Sequence, residues 1–322
     1  MCYLYRVMNS PLFPLCLAFA ALSFPLRAEL LVYEGFDPSD PGVSLDAGEL
    51  AGATSKGFAA ESRWAVTGNE DYSAEFSSDG LSMEGLASAG GSVRVGLGGT
   101  SATSGVNVYR KSGVSVPPGR TIFGSFLFQN MQDLSRYLTS LLIESGEDLP
   151  DDKGSLRGPH RLADNDAATL VAFSPDSFAR DEEGVPGRTS QGIKVGKSPF
   201  HGSKEMAQAD HELPNGETFL VVWSISNTAG AEAAQGAGQQ AVMWILSQDN
   251  LKAIRAGGEA TQEAVDGNNL VRVVVDQGLR GRLLESDFIN IAATVAGGKK
   301  ASSSIYDEIR IGTEMASVLP AP

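Results

Sequence analysis

Apolar side chains recur at every second position in short runs along this chain, and clusters of Gly, Ser, Asn and Asp separate one run from the next. That period places alternate residues on opposite faces of an extended backbone, so each run predicts a half-buried strand. The last run is the clearest. In residues 303–312, Ile305, Asp307, Ile309 and Ile311 share one face, and Tyr306, Glu308 and Arg310 share the other. A closing strand must complete a sheet that earlier strands have built, and its expected partner is the first strong run, Leu30 to Gly35. Further strands are predicted at 63–66, 80–83, 92–97, 106–110, 121–129, 137–144, 169–174, 192–196, 218–226, 240–247, 270–276 and 288–295. About fourteen short strands, without regular alternation with long helices, indicate an antiparallel sandwich.

Two stretches depart from the pattern. Residues 133–144 carry both a helical stripe (Leu134, Tyr137, Leu138, Leu141, Leu142) and a strand alternation (Tyr137, Thr139, Leu141, Ile143). Strand is preferred, because the run 121–129 just before it resembles an antiparallel neighbour. Residues 250–256 predict a short helix, capped by Asp249 or Asn250 and ended by Gly257 and Gly258. Residues 145–216 hold all three histidines and many charges, prolines and glycines around two weak strand signals. They read as long excursions from the sandwich rim, where function on such scaffolds usually lies.

The first 28 residues predict export. Arg6 is the lone charge before an apolar stretch, 11–26, and Ala28 offers a small residue for cleavage before Glu29. Pro14 and Pro25 interrupt that stretch, so no membrane span is expected after cleavage. The mature domain is expected to be 29–322, secreted to the extracellular space, cell surface or periplasm. Both cysteines, Cys2 and Cys16, lie in the leader, which removes thiolate metal sites and thiol nucleophiles from the expected chemistry. The formal charge is −14; without Arg6 and Arg27 the basic residues fall from 25 to 23 against 39 acids, giving −16. Such a surface repels phosphate backbones, so nucleic acid is not an expected partner.

Three passages carry a family resemblance. The beginning 28–37 (Ala-Glu-Leu-Leu-Val-Tyr-Glu-Gly-Phe-Asp), the passage 79–93 and the ending 306–318 (Tyr-Asp-Glu-Ile-Arg-Ile-Gly-Thr-Glu-Met-Ala-Ser-Val) resemble exported bacterial proteins of the concanavalin A-like, LamG-type class. Residues 218–225 and 241–246 resemble the paired core strands of that class. The resemblance implies an all-β, two-sheet antiparallel jelly-roll sandwich of the lectin and glucanase type. Polysaccharide or a cell-surface glycan is the partner it implies. Proteins of this class often end in a Pro-Glu-Pro sorting tail with a membrane segment; none follows Ile311 here, so anchoring by that route is not expected.

The glucanases of the class carry a Glu-x-Asp-x-x-Glu or Glu-x-Asp-x-Glu strand, and neither pattern occurs. Among acids at alternate positions, Glu285 and Asp287 alone precede a convincing strand, and no third acid joins them. Asp307 and Glu308 are adjacent and are expected to point to opposite faces, which argues against a dyad. No catalytic residue is therefore assigned. Candidate metal ligands are Glu147, Asp148, Asp151 and Asp152, with Asp164 and Asp166 as a second group; calcium is the ion such hard oxygens would take, although neither group has the spacing of a twelve-residue calcium loop. No other cofactor is expected. His160, His201 and His211 are too scattered to suggest zinc. Trp64 and Tyr72 are the candidate stacking surfaces for a sugar ring, whereas Trp223 and Trp244 lie inside apolar strands and read as core. The expected function is an exported non-catalytic module, glycan-binding or structural. The alternatives are a polysaccharide hydrolase or lyase with an unfamiliar site in 145–216, and a self-associating envelope scaffold.

Overall fold

The computed structural model describes residues 29–36, 49–50, 64–68, 72–97, 105–115, 119–131, 137–145, 168–173, 193–194, 211, 213–227, 239–276, 285–295 and 302–322. The leader and most of 145–216 lie outside the described residues, with the acids Asp148, Asp151, Asp152, Asp164 and Asp166.

The described residues form two antiparallel sheets. The eight-stranded sheet runs β13 (Val271–Asp276), β12 (Gln239–Leu246), β11 (Thr218–Asn227), β7 (Arg120–Asn130), β15 (Ser302–Gly312), β5 (Ser92–Leu97) and β4 (Tyr72–Ser77), with β1 (Leu30–Glu34) also on β15. The seven-stranded sheet runs β10 (Ile193–Lys194), β9 (Ala168–Phe173), β8 (Tyr137–Ser145), β14 (Glu285–Val295), β6 (Gly105–Ser115), β3 (Trp64–Gly68) and β2 (Glu49–Leu50). The last strand does pair with the first, Glu34 facing Ile309 and Leu30 facing Gly312. It lies well inside its sheet, between β7 and β5. Residues Ser303 to Gly312 are therefore covered on both faces, apart from the half-buried Ile305.

Alternation assigns the two faces of the eight-stranded sheet. Phe126, Phe128, Val221, Trp223, Ile225, Met243 and Tyr306 are all buried on one face. Leu127, Leu220, Val222, Val242, Trp244 and Leu246, on the opposite face, join a second apolar cluster. Its other half comes from Leu81, Met83 and Leu86 of the 78–91 loop, from α1 (Gln248–Ala256) and α2 (Gln262–Gly267), and from Met315, Val318 and Leu319 in and after α3 (Met315–Val318). This sheet is thus packed on both sides. Trp223 needs its opposite neighbour to be glycine: a Cβ on Gly124 would lie 2.1 Å from the indole.

Several expectations change. Residues 80–83 are loop, and their alternating Leu81 and Met83 are anchors into the second cluster. The strands β2 and β4 and the helices α2 and α3 had no clear signal. Residues 137–145 are strand, but β8 pairs with β14 and β9 in the sheet opposite β7, so the neighbour invoked for it is not its neighbour. The predicted helix starts earlier, with Ser247 as its cap; Asn250 is the reciprocal partner three residues on, its Oδ1 accepting from Ser247 N. Gly257 ends it, as expected.

Candidate functional site

The most concentrated set of buried charges lies where β1 and β5 meet on one edge of β15. Strand β5 pairs with Ser302 to Tyr306, and β1 takes over from Ile309. Asp307 and Glu308 fall in the gap between them. On the other edge, the register with β7 slips between Asp307 and Arg310. Glu308 sits at φ +55°, in the left-handed region that a residue with a side chain adopts only under constraint. This bulge breaks the alternation, as bulges do by adding a residue to one strand.

Both carboxylates are consequently turned to the same loop, which corrects the expectation of opposite faces. Asp307 Oδ2 accepts from Leu81 N at 2.7 Å, and Oδ1 accepts from Glu308 N at 2.6 Å. Glu308 Oε1 accepts from Ala89 N at 2.5 Å and from Tyr33 Oη at 3.2 Å, and Oε2 is ion-paired with Arg310. The Arg310 guanidinium also donates to Ala87 O and lies 5.2 Å from the centre of the Tyr33 ring. The close approach needs glycine at 80, where a Cβ would stand 2.9 Å from Gly90 O and 3.0 Å from Asp307 Oδ2.

Burial dominates the electrostatics here. It raises the Asp307 carboxyl from 3.8 to about 9, helped by the charge of Glu308 and opposed by the two amide donors. Burial likewise raises Glu308, against the pull of Arg310, and raises the Tyr33 hydroxyl, to which the Glu308 charge adds.

A second buried pair joins the two sheets. Glu34, at the end of β1, accepts from Arg110 Nη1 of β6 at 2.7 Å, from Trp64 Nε1 of β3 at 2.8 Å and from Phe36 N at 2.9 Å. Burial works against both charges, raising Glu34 and lowering Arg110, while these donors favour the carboxylate. The Phe36 ring lies 5.4 Å from Trp64. Trp64 is 1% exposed, so its indole bridges β1 to β3 and offers no face to a sugar ring. The expected stacking surface at Trp64 is therefore absent, because its indole is enclosed beside the inter-sheet ion pair and donates to Glu34.

General acid or base work needs contact with a substrate. Asp307, Glu308 and Glu34 are each at most 1% exposed, and the described groups that they bond belong to the chain itself. What this arrangement does is hold the 78–91 loop and the seam between the sheets. Tyr72 is the first residue of β4, opposite Leu97; its side chain lies outside the described residues. Trp223 and Trp244 are core, and Trp244 Nε1 donates to Asp266 at 2.8 Å. Among the described residues, no group of three acids, histidines or cysteines is placed to hold a metal ion. No described helix is long and apolar enough to cross a membrane. The buried pair Glu34 and Arg110 had no sequence signal, since nothing in either strand marks which residues will meet across the sheets.

No family model matches the chain, and no curated protein matches it by sequence. Solved structures do resemble it. The metal-free lectin I-B4 from Griffonia simplicifolia is similar at 12% identity and TM-score 0.43, over 77% of this chain and 92% of the lectin. A galectin-like protein of unknown function from Bacillus subtilis is similar at 13% identity and TM-score 0.42, over 78% and 90%. A carbohydrate esterase of a Shiga toxin-encoding bacteriophage is similar at 14% identity and TM-score 0.45, over 89% and 99%. The strand pairing itself establishes the architecture: two antiparallel sheets, as expected of an all-β sandwich.

Proposed function

We propose that the chain is an exported, non-catalytic sandwich module, 29–322, that binds a polysaccharide or cell-surface glycan. The observation that carries the reading is the covering of the eight-stranded sheet on both faces. With one face against the sandwich interior and the other under α1, α2, α3 and the 78–91 loop, ligand recognition falls to the other sheet and its loops. That sheet contains β8, β9 and β10, whose connections run through the 145–216 region. The acid-bearing strand nearest the chain's end supports the non-catalytic part, because its carboxylates are engaged in holding a loop. The N-terminal apolar leader supports export.

The test is retention of the purified chain on a panel of immobilised plant, algal and bacterial polysaccharides, with and without calcium. Saturable retention without release of reducing sugar or unsaturated product supports the reading. Retention on none of them, in either condition, refutes the binding role and leaves a structural one. Release of product refutes the non-catalytic role.

A further inference from the structure

The 78–91 loop is tied to β15 near each of its ends, and both ties finish on a buried carboxylate. Leu81 N donates to Asp307, and Ala89 N donates to Glu308. Between them, Leu81, Met83 and Leu86 anchor the loop in the outer apolar cluster. The two described non-glycine residues at positive φ bracket the same loop: Glu308, at +55°, receives its far end, and Phe36, at +48°, accepts from Gly91 N at 3.1 Å. Backbone strain of this kind persists only where the surroundings over-determine it, as in clamps and switches.

Charge does not balance beneath the loop. Asp307 and Glu308 are adjacent and turned the same way, and the guanidinium facing them, Arg310, is ion-paired with Glu308. Among the described residues, the other elements packed here bring no second cation to Asp307. Strand β1 supplies Tyr33, β7 stands opposite with Leu127 and Ser125, β5 commits Arg94 to Ser303, and α3 holds no titratable side chain. The loop's own acids, Asp79 and Glu84, are exposed, and α1 sends Lys252 to Glu84 and Arg255 to Gly85 O. A buried carboxyl without a cation of its own keeps its proton. Asp307 accordingly titrates at about 9 rather than 3.8, Glu308 is shifted in the same direction, and Tyr33, also raised, stays a neutral donor.

We propose that the 78–91 loop is a proton-latched strap: with a proton on the Asp307–Glu308 pair it is closed over the outer cluster, and as pH rises it lifts from β15, releasing that proton and baring Leu81, Met83 and Leu86. The sign follows from linkage. In the lifted strap Asp307 meets water and returns to its ordinary value, so the open form binds fewer protons than the closed one between 3.8 and about 9. Opening therefore gains up to about tenfold per pH unit in that window, and acid closes the strap. The device goes beyond glycan recognition, because the strap covers the sheet opposite the one to which recognition falls.

Limited proteolysis of the purified chain by subtilisin at pH 6 to pH 9 tests this, with cut sites read by mass spectrometry and rates divided by those of a free peptide of residues 78–91 at the same pH. The normalised rate of cutting within the strap should rise at least about tenfold over that range, since cleavage tracks the population of the open form. Fluorescence from the three buried tryptophans, Trp64, Trp223 and Trp244, should stay native throughout, which marks the opening as local. Asp307→Asn has no proton to release and should flatten the rise to about twofold or less. Glu308→Gln leaves Arg310 to compensate Asp307 and makes the same test independently, with a rise smaller than that of the wild type. A normalised rate that does not change with pH would overturn the proposal. So would a rise that both variants leave intact, or one accompanied by loss of the native tryptophan signal, which is global unfolding.

Discussion

At the scale of single residues, several buried acids are held by sets of partners, and removing one partner is what costs stability. Glu34 is the clearest case, with an arginine, an indole and a backbone amide on one carboxylate. Glu34→Gln leaves Arg110 buried beside a neutral group, and removing one partner of a buried pair costs about 3–5 kcal/mol. Urea unfolding at pH 7 measures this; a loss below about 1 kcal/mol would mean that the pair is solvated rather than buried. Asp307 makes a pH prediction. Its folded carboxyl titrates at about 9 against an ordinary 3.8, so the native state holds a proton that the unfolded chain has lost. Its contribution is complete below the ordinary value and is lost as pH rises through the folded one. Thermal stability should therefore fall from pH 5 to pH 9, and Asp307→Asn should be less stable at pH 5 yet show a shallower slope. An unchanged slope in the variant would assign the pH dependence elsewhere. The involvement of Asp307 and Glu308 was not legible in sequence: strict alternation puts neighbours on opposite faces, and no glycine or asparagine at 308 announces a left-handed residue. The core tryptophans were legible, since Trp223 and Trp244 lie in continuous apolar runs, whereas the partners of Trp64 come from strands distant along the chain.

At the scale of elements, alternation located most strands, and it failed where it met its imitators. Leu81 and Met83 alternate because two anchors of a loop happen to be two residues apart. The edge strand β4 had little to read, its described side chains at Ala74, Glu75 and Phe76 being at least partly exposed. The helix α1 was visible from its closing glycines, and Ser247 caps it in a box with Asn250. Ser247→Ala should cost about 1 kcal/mol of stability. Arg255, on the same helix, donates to Gly85 O, Leu319 O and Pro320 O, so one side chain ties helix, loop and C-terminal segment together. In Arg255→Ala, the Ala87 amide, bonded to Pro320 O, should exchange hydrogen faster, while β11 and β12 keep their protection. Equal acceleration in all three would mean that these pieces do not form a separate layer.

At the scale of the whole molecule, the sandwich is built around a sheet with an apolar layer on each face. Gly124 tests the inner layer, because the methyl of Gly124→Ala would enter the Trp223 ring; overpacking of this kind costs about 1–3 kcal/mol or more. The outer layer decides where a ligand can go, and under the proposed function glycan recognition falls to the seven-stranded sheet. Hydrogen exchange of the purified chain, with and without the polysaccharide that retains it, examines that placement. The account predicts added protection in β8, β9 and β14, and none in β11, β12, α1 or α2. Protection concentrated on α1, α2 and the 78–91 loop would contradict it, because the ligand would then sit on the covered sheet.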